Sequence, residues 1–415
     1  MKIFRFFTGF LLIVTTLNIY AQDGSVSPYS FFGMGDPIFK GTVENAAMGD
    51  IHSYTDSIHY NLSVAATLTA LKYTNLNLGI KNHFVSVADK QNKQWFSTHN
   101  ISYFSMGIPI GKKFGVGFGI LPVTASDYNI YQSNDLGTYT FQGSGGNTRA
   151  FIATGYQLNR FVSLGLEYQY YFGYLSHENI WVPDNVITYT KENNIVDFKG
   201  SSFKFSTHIK YKLKAKRYIN MQAGYRLKAS LPAEYNSISR LITVAGGSEQ
   251  TVEKLDETQK NGTVEIPAYF DMGIGYGNSD KWYLGVRYDY TWSENIRNPF
   301  YDPSYVNYND AYSLHIGGLY TPQYNSITKY WKRITYKAGA YYNNTGMNLY
   351  GEDISDFGIT FGLSLPALRG ISNMNIGLML GQRGKKTERL VEEKYINLHI
   401  SLSLNEKWFI KRKIN

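Results

Sequence analysis

Apolar and polar residues alternate at every second position along most of this chain. In the last such run Ile396, Leu398, Ile400, Leu402 and Leu404 interleave with Asn397, His399, Ser401 and Ser403, and Trp408 and Phe409 follow. A strand with lipid on one side and a polar interior on the other needs that period of two. Val162, Leu164, Leu166, Tyr168, Tyr170, Phe172 and Tyr174 repeat it against Ser163, Gly165, Glu167 and Gln169. Phe203, Phe205, Ile209, Tyr211 and Leu213 do so against Lys204, Ser206, His208 and Lys210. Alternating segments lie near 76-87, 95-110, 112-125, 147-158, 160-176, 196-214, 217-231, 266-277, 281-293, 310-322, 332-343, 355-366, 372-382 and 393-409. Most reach the roughly 9 to 11 residues that a tilted membrane strand requires. The predicted fold is therefore all-β, a transmembrane antiparallel barrel of fourteen strands, an even number as single-chain bacterial barrels have.

Connection lengths agree with this count. Ile110 to Lys113, Leu158 to Arg160, Lys214 to Arg217, Gly277 to Lys281 and Pro366 to Ile371 are tight, and Gln323 to Trp331 is longer. Between them fall the long connections Ser126 to Gly146, Ser176 to Ile195, Pro232 to Glu265 and Asn295 to Asn309, expected as surface loops. Only Asp89 to Lys93 is short on that side. Short periplasmic turns and long outer loops are what a barrel produces.

Composition narrows the class. Mean hydropathy is -0.30, so membrane-spanning helices are not expected beyond the N-terminus. Aromatics nevertheless reach 16%, with 36 Tyr, which suits interfacial girdles. The chain has no Cys, which removes disulfides, thiolate metal sites and cysteine nucleophiles together. Lys2 and Arg5 before the apolar run Phe6 to Leu17 read as a secretory signal cut after Ala21, so residues 1-21 are a leader.

Residues 22-65 precede the barrel, predicted as 66-409, and show no alternation. Asp23, Asp36, Glu44, Asp50 and Asp56 against Lys40 give this segment a net charge of -4. The expected inward set of the wall is basic: Arg149, Lys204, Lys210, Arg226, Lys228, Arg287, Arg333 and Lys337 against Glu167, Asp271 and Asp289. An acidic insert is favoured inside a basic interior, which points to a plug. Solvated lumen charges with a free periplasmic tail are the alternative. The basic tail 410-415 follows Phe409 and suits the periplasm near anionic headgroups.

Ile266-Pro267-Ala268, Gly273, Trp282 and Tyr288-Asp289-Tyr290-Thr291-Trp292-Ser293 resemble a segment of the FadL/TodX-type long-chain fatty acid transporters. Asn45-Ala46-Ala47-Met48-Gly49-Asp50, with Asp56 and Tyr60-Asn61-Leu62-Ser63, is similar to that family's hatch, although Leu62 stands where its Pro would be. Ser27-Pro28-Tyr29-Ser30 with Gly33-Met34-Gly35-Asp36, and the C-terminal run, resemble Bacteroidetes members of this barrel group. The resemblance implies an N-terminal hatch carrying Asn45, Gly49, Asp50, Asp56 and Asn61, passive passage of hydrophobic molecules, and a kinked third strand that opens the wall laterally. Gly115, Gly117, Gly119 and Pro122 are the physical counterpart of such a gate, because Pro122 cannot donate to the ladder. Glycines packed against the plug, with Pro122 marking the outer edge, are the other reading.

Candidate chemistry is sparse. Asn397, His399 and Ser401 project to one side, but residues two apart on a strand sit roughly 6 to 7 Å apart, long for direct activation. His208 between Lys204 and Lys210 is a poor cation site, and the other histidines show no ligand spacing. No enzyme, no metal, no cofactor and no nucleic-acid partner is expected. Leu402, Leu404, Trp408 and Phe409 have the form of the signal by which the barrel-assembly machinery recognises its clients. Expected partners are outer-membrane lipid, that machinery during biogenesis, and a hydrophobic small molecule. The expected function is passive uptake of fatty-acid-like molecules through a plugged lumen. The alternative is a structural or accessory barrel of a type IX secretion or outer-membrane assembly complex.

Overall fold

A computed structural model describes residues 26-38, 41-184, 186-214, 216-245, 248-279, 281-294, 305-367 and 371-408. The expected leader 1-21, Phe409 and the expected tail 410-415 lie outside the described residues. The strands are β1 Thr74–Ala88, β2 Lys93–Ile110, β3 Phe114–Ala125, β4 Gly137–Gln157, β5 Val162–Pro183 and β6 Thr188–Lys212. Then come β7, Arg217–Arg226 continued by Ala229–Ala245, and β8, Ser248–Ile266 continued by Tyr269–Asn278. The last six are β9 Trp282–Thr291, β10 Ala311–Tyr320, β11 Thr335–Leu349, β12 Glu352–Ala367, β13 Ser372–Gly384 and β14 Glu392–Glu406. They form a closed antiparallel barrel of fourteen strands, with β14 pairing β1 from Glu392 opposite Ala88 to Glu406 opposite Thr74.

Burial follows the period of two. Leu164, Leu166, Tyr168, Tyr170 and Tyr174 are exposed on the outside of β5, while Ser163, Glu167 and Gln169 are buried. On β14 the buried set is Glu393, Tyr395, Asn397, His399, Ser401, Ser403 and Asn405, with the aliphatics from Ile396 to Leu404 facing outward. This strand ends at Glu406, so Trp408 sits just beyond it, exposed, with its indole N–H 3.3 Å from Glu406.

Three connections expected as loops are ladder instead. β4 begins at Gly137 and pairs with the short strand Tyr128–Asn134, β6 begins at Thr188, and the 232 to 265 stretch is a β7–β8 hairpin. The 25 residues of β6 cover roughly 80 Å at about 3.3 Å per residue, far more than the bilayer needs. Beyond the membrane water lies on both faces, so the backbone pairs on while the apolar alternation lapses.

Another boundary moves. Residues 66-73, expected within the barrel, belong to the N-terminal segment: Ala65–Ala70 is a short 3-10 turn whose Leu68 is fully buried, and β1 starts at Thr74. The Ala66 N–H donates to Ser206 of β6 over 3.0 Å, and Thr69 lies 2.8 Å from Ser163 of β5.

Candidate functional site

The segment from Val26 to Tyr73 lies against the inward face of the strands and is folded by its own polar side chains. Thr42 caps the single helical turn Val43–Ala46 by accepting from the Asn45 N–H. Asn45 in turn donates to the Ile51 carbonyl over 2.5 Å, and Asn61 donates to the His52 carbonyl over 2.7 Å. Gly49 and Asp50 both have positive φ, +70° and +63°. At Gly49 this is obligatory: a Cβ there would sit 2.4 Å from the Ile316 carbonyl oxygen. The wall yields in the same way, since a Cβ on Gly317 would meet the Met48 carbonyl at 2.1 Å and one on Gly339 the Gly49 nitrogen at 2.3 Å. Backbone lies directly on backbone here, and the Gly49 N–H donates to Thr360 over 2.9 Å.

A buried ionic cluster fastens this contact. Arg287 of β9 donates to the Asp50 carboxylate at 2.7 Å and to its carbonyl at 2.6 Å, and also pairs with Asp289. His315 lies 3.0 Å from Arg287 and 2.8 Å from the Gly49 carbonyl, and His52 lies 3.1 Å from Asp50. Lys204 pairs with Asp271 at 3.0 Å and donates to the Ser63 carbonyl at 2.8 Å. A second clamp holds the outer end, where Arg383 pairs with Asp36 and, at 2.6 Å, with Glu393. Ser27 donates to Glu393 over 2.5 Å.

The remaining predicted residues divide. Glu44 accepts from Asn375 of β13 at 2.7 Å, and Lys337 is buried. Asp56 instead pairs within the segment, with His59 and with the Ile58 N–H at 2.9 Å. Arg149 faces Glu167 at 3.9 Å, and Lys210 lies over the Tyr218 ring at 4.7 Å. Arg226 donates to the Pro267 carbonyl at 3.2 Å and lies over Tyr269. Lys228 is not inward. It is exposed and pairs with Glu265 at 2.8 Å, because β7 breaks at Leu227–Lys228 and the alternation does not carry across the break. Arg333 likewise leaves the inward set, in a short turn over Tyr330.

At β3 the wall changes partners. The β2–β3 ladder runs from Ile110 opposite Phe114 to Phe104 opposite Ile120 and stops there. Past a register shift between Pro122 and Thr124, β3 pairs inward instead, Thr124 with Pro37 and Ala125 with Asp36. The Ile38 N–H donates to the Val123 carbonyl over 3.0 Å. From Lys93 to Tyr103 the ladder of β2 is thus with β1. Pro122 is at this divergence, but Gly115 and Gly117 are not: their Cβ positions are occupied by Leu68 and Tyr60 of the N-terminal segment. Gly119 packs against Phe104 and Phe151. A cavity of about 510 Å³ lies beside the divergence, bounded by Leu121, Val123, Thr124, Met34, Ile266 and Arg226 among others.

The family described as BamG matches residues 3–415, almost the whole sequence. The chain belongs to the BamG family. No curated protein matches it. Among solved structures it is similar to the Pseudomonas putida toluene transporter TodX, at 15% identity and a TM-score of 0.60, over 91% of this chain and 99% of that one. A Pseudomonas aeruginosa FadL homologue is similar at 11% identity and a TM-score of 0.55, over 89% and 98%. This BamG-family chain therefore has the FadL/TodX fold, and its place is the outer membrane.

Proposed function

We propose that the protein passes hydrophobic small molecules of fatty-acid-like character across the outer membrane, with the described segment from Val26 to Tyr73 as a hatch in the lumen and the β2–β3 divergence as the way out. The observation that carries this reading is the 510 Å³ cavity whose lining includes Leu121, Val123 and Thr124, the part of β3 that has turned away from β2. Leu121 and Val123 of β3 and Arg226 of β7 all line that cavity. Arg226 has no carboxylate partner among the described residues, so a carboxylate head group would gain a charge-assisted hydrogen bond from it. The likeness to a toluene transporter supports an apolar cargo.

A second reading rests on the family, whose name BamG is assembly-related: an accessory barrel in an outer-membrane assembly complex. Purification from native membranes separates the two. Lipid or detergent bound to a lone monomer, with protein-dependent accumulation of labelled oleate or toluene in cells, supports transport. A stoichiometric protein partner without such accumulation supports the accessory role and overturns transport.

A further inference from the structure

Among the described residues, β8 has a free edge beyond the membrane-spanning part of the barrel. From Ser248 to Ile266 it pairs with β7 alone, and no described residue pairs with its other side. β7 is itself sandwiched, since Ala233 to Thr243 also pairs with Phe198 to Thr188 of β6. The outermost strand of this projecting sheet is therefore β8, and Ser248 to Thr263 is exposed almost throughout.

Its register tells where another strand fits. From Ile266 opposite Ala229 to Asp256 opposite Ser239 the pairing is unbroken for eleven residues. Beyond that, Leu255 and Val252 are bulged out, each without a residue opposite. Bulges close an edge to further pairing, whereas a regular run with its N–H and C=O groups facing outward invites it. Soluble and membrane proteins blunt such edges with lysine, proline or short length. This run has no proline, and one lysine, Lys260.

Charge selects the partner. The chain as a whole is +9, yet the edge strand carries Glu249, Glu253, Asp256, Glu257 and Glu265 against Lys254 and Lys260. Asp256, at the upper end of the regular run, and Glu253, just past the Leu255 bulge, have no basic partner among the described residues. We propose that Asp256–Ile266 is a docking strand for an extended, basic segment of a partner polypeptide outside the cell, which adds to the sheet by main-chain hydrogen bonds and places its cations beside Glu253 and Asp256.

The test uses the full-length barrel in lipid nanodiscs. The probe is a fluorescein-labelled peptide of about eleven alternating lysines and valines, long enough to match the run. Controls are the same peptide N-methylated at alternate residues, and a glutamate–valine peptide. Anisotropy at about 0.15 M salt reads affinity, and amide hydrogen exchange reads location. Expected is binding at least about tenfold tighter than either control, with slowed exchange confined to residues 256 to 266. Glu253→Lys with Asp256→Lys, both on the exposed strand, should weaken the basic peptide by about tenfold and favour the acidic one. Equal binding of the N-methylated peptide, unchanged exchange over 256 to 266, or indifference to the double variant overturns the proposal. A dimer in which that edge is protected without peptide also overturns it, by giving the edge to a second copy.

Discussion

Removing Arg287 should release the N-terminal segment from the barrel. The side chain is 4% exposed and holds Asp50 through both its carboxylate and its carbonyl, while Asp289 and His315 meet its other terminal nitrogen. Arg287→Ala leaves two buried carboxylates without their cation. Breaking a buried pair from one side costs about 3 to 5 kcal/mol. Even the lower figure shifts the attached-to-detached ratio by about 150-fold. The Arg383–Asp36 clamp remains, so detachment should be confined to the part around Met48 to Ser53. The assay is proteinase K cleavage within residues 26 to 73 of folded, heat-modifiable protein. When reclosing is fast, cleavage follows the open population. The expected result is cleavage faster by about a hundredfold or more, with raised single-channel conductance. Arg287→Met combined with Asp50→Asn and Asp289→Asn should recover most of the protection, because a neutral replacement leaves no stranded charge. Arg287→Ala protein that is folded and cleaved no faster than the parent would refute the reasoning.

Gly49→Ala should loosen the same contact, since the positive φ alone costs about 1 to 2 kcal/mol and the new Cβ overlaps the Ile316 carbonyl; unchanged proteolysis would contradict this. The Asp56–His59 pair gives the segment a pH profile. Burial pushes the Asp56 carboxyl up, but His59 and the Ile58 and His59 N–H groups outweigh it and bring it down to about 2. Burial pushes His59 down, and Asp56 and Glu44 outweigh it and raise it. The His59 contribution is complete below the usual 6.5 and lost as pH rises through its raised value; that of Asp56 is present above the usual 3.8 and lost as pH falls toward about 2. Cleavage of the segment should be slowest between the usual 3.8 and the usual 6.5 and quicken as pH rises through the raised His59 value, with that rise absent in His59→Ala. Trp408→Ala with Phe409→Ala should lower the folded barrel in the outer membrane without lowering export to the periplasm, read by heat-modifiable mobility; an undiminished folded yield would remove the terminal aromatics as anchor and recognition signal.

The fourteen strands were legible because lipid on one side and a polar interior on the other imprint a period of two, as in Val162 to Tyr174 and Ile396 to Leu404. Where that environment ends, so does the signal: Ser248 to Thr263 has water on both faces, and its pairing with β7 shows in no alternation. Lys228 was misplaced for a related reason, since counting inward and outward positions fails once a strand breaks. Within the N-terminal segment the acidic charge pointed toward the basic wall, and Asp36 and Asp50 do meet Arg383 and Arg287. Asp56 meets His59 instead, three residues away, a local pairing that bulk charge does not distinguish. The approach of Met48 and Gly49 to Gly317 and Gly339 joins residues some 270 and 290 positions apart, and no local pattern encodes it. A cluster of glycines on adjacent strands, Gly317, Gly318 and Gly339, is the trace it leaves in the sequence.

Passage through the wall at β2–β3 is most directly tested by closing it. Continuing the ladder two residues past Phe104 and Ile120 would bring Ser102 opposite Pro122, and the chain has no Cys of its own to interfere. Ser102→Cys with Pro122→Cys therefore allows a single disulfide that draws β3 back to β2, within the roughly 4.4 to 6.8 Å between Cα atoms that such a bond spans. Accumulation of labelled oleate and toluene should fall on oxidation to the level of cells lacking the protein, and return with a reductant. Uptake that continues undiminished with the disulfide formed, or that never depended on the protein, would contradict lateral passage at this site.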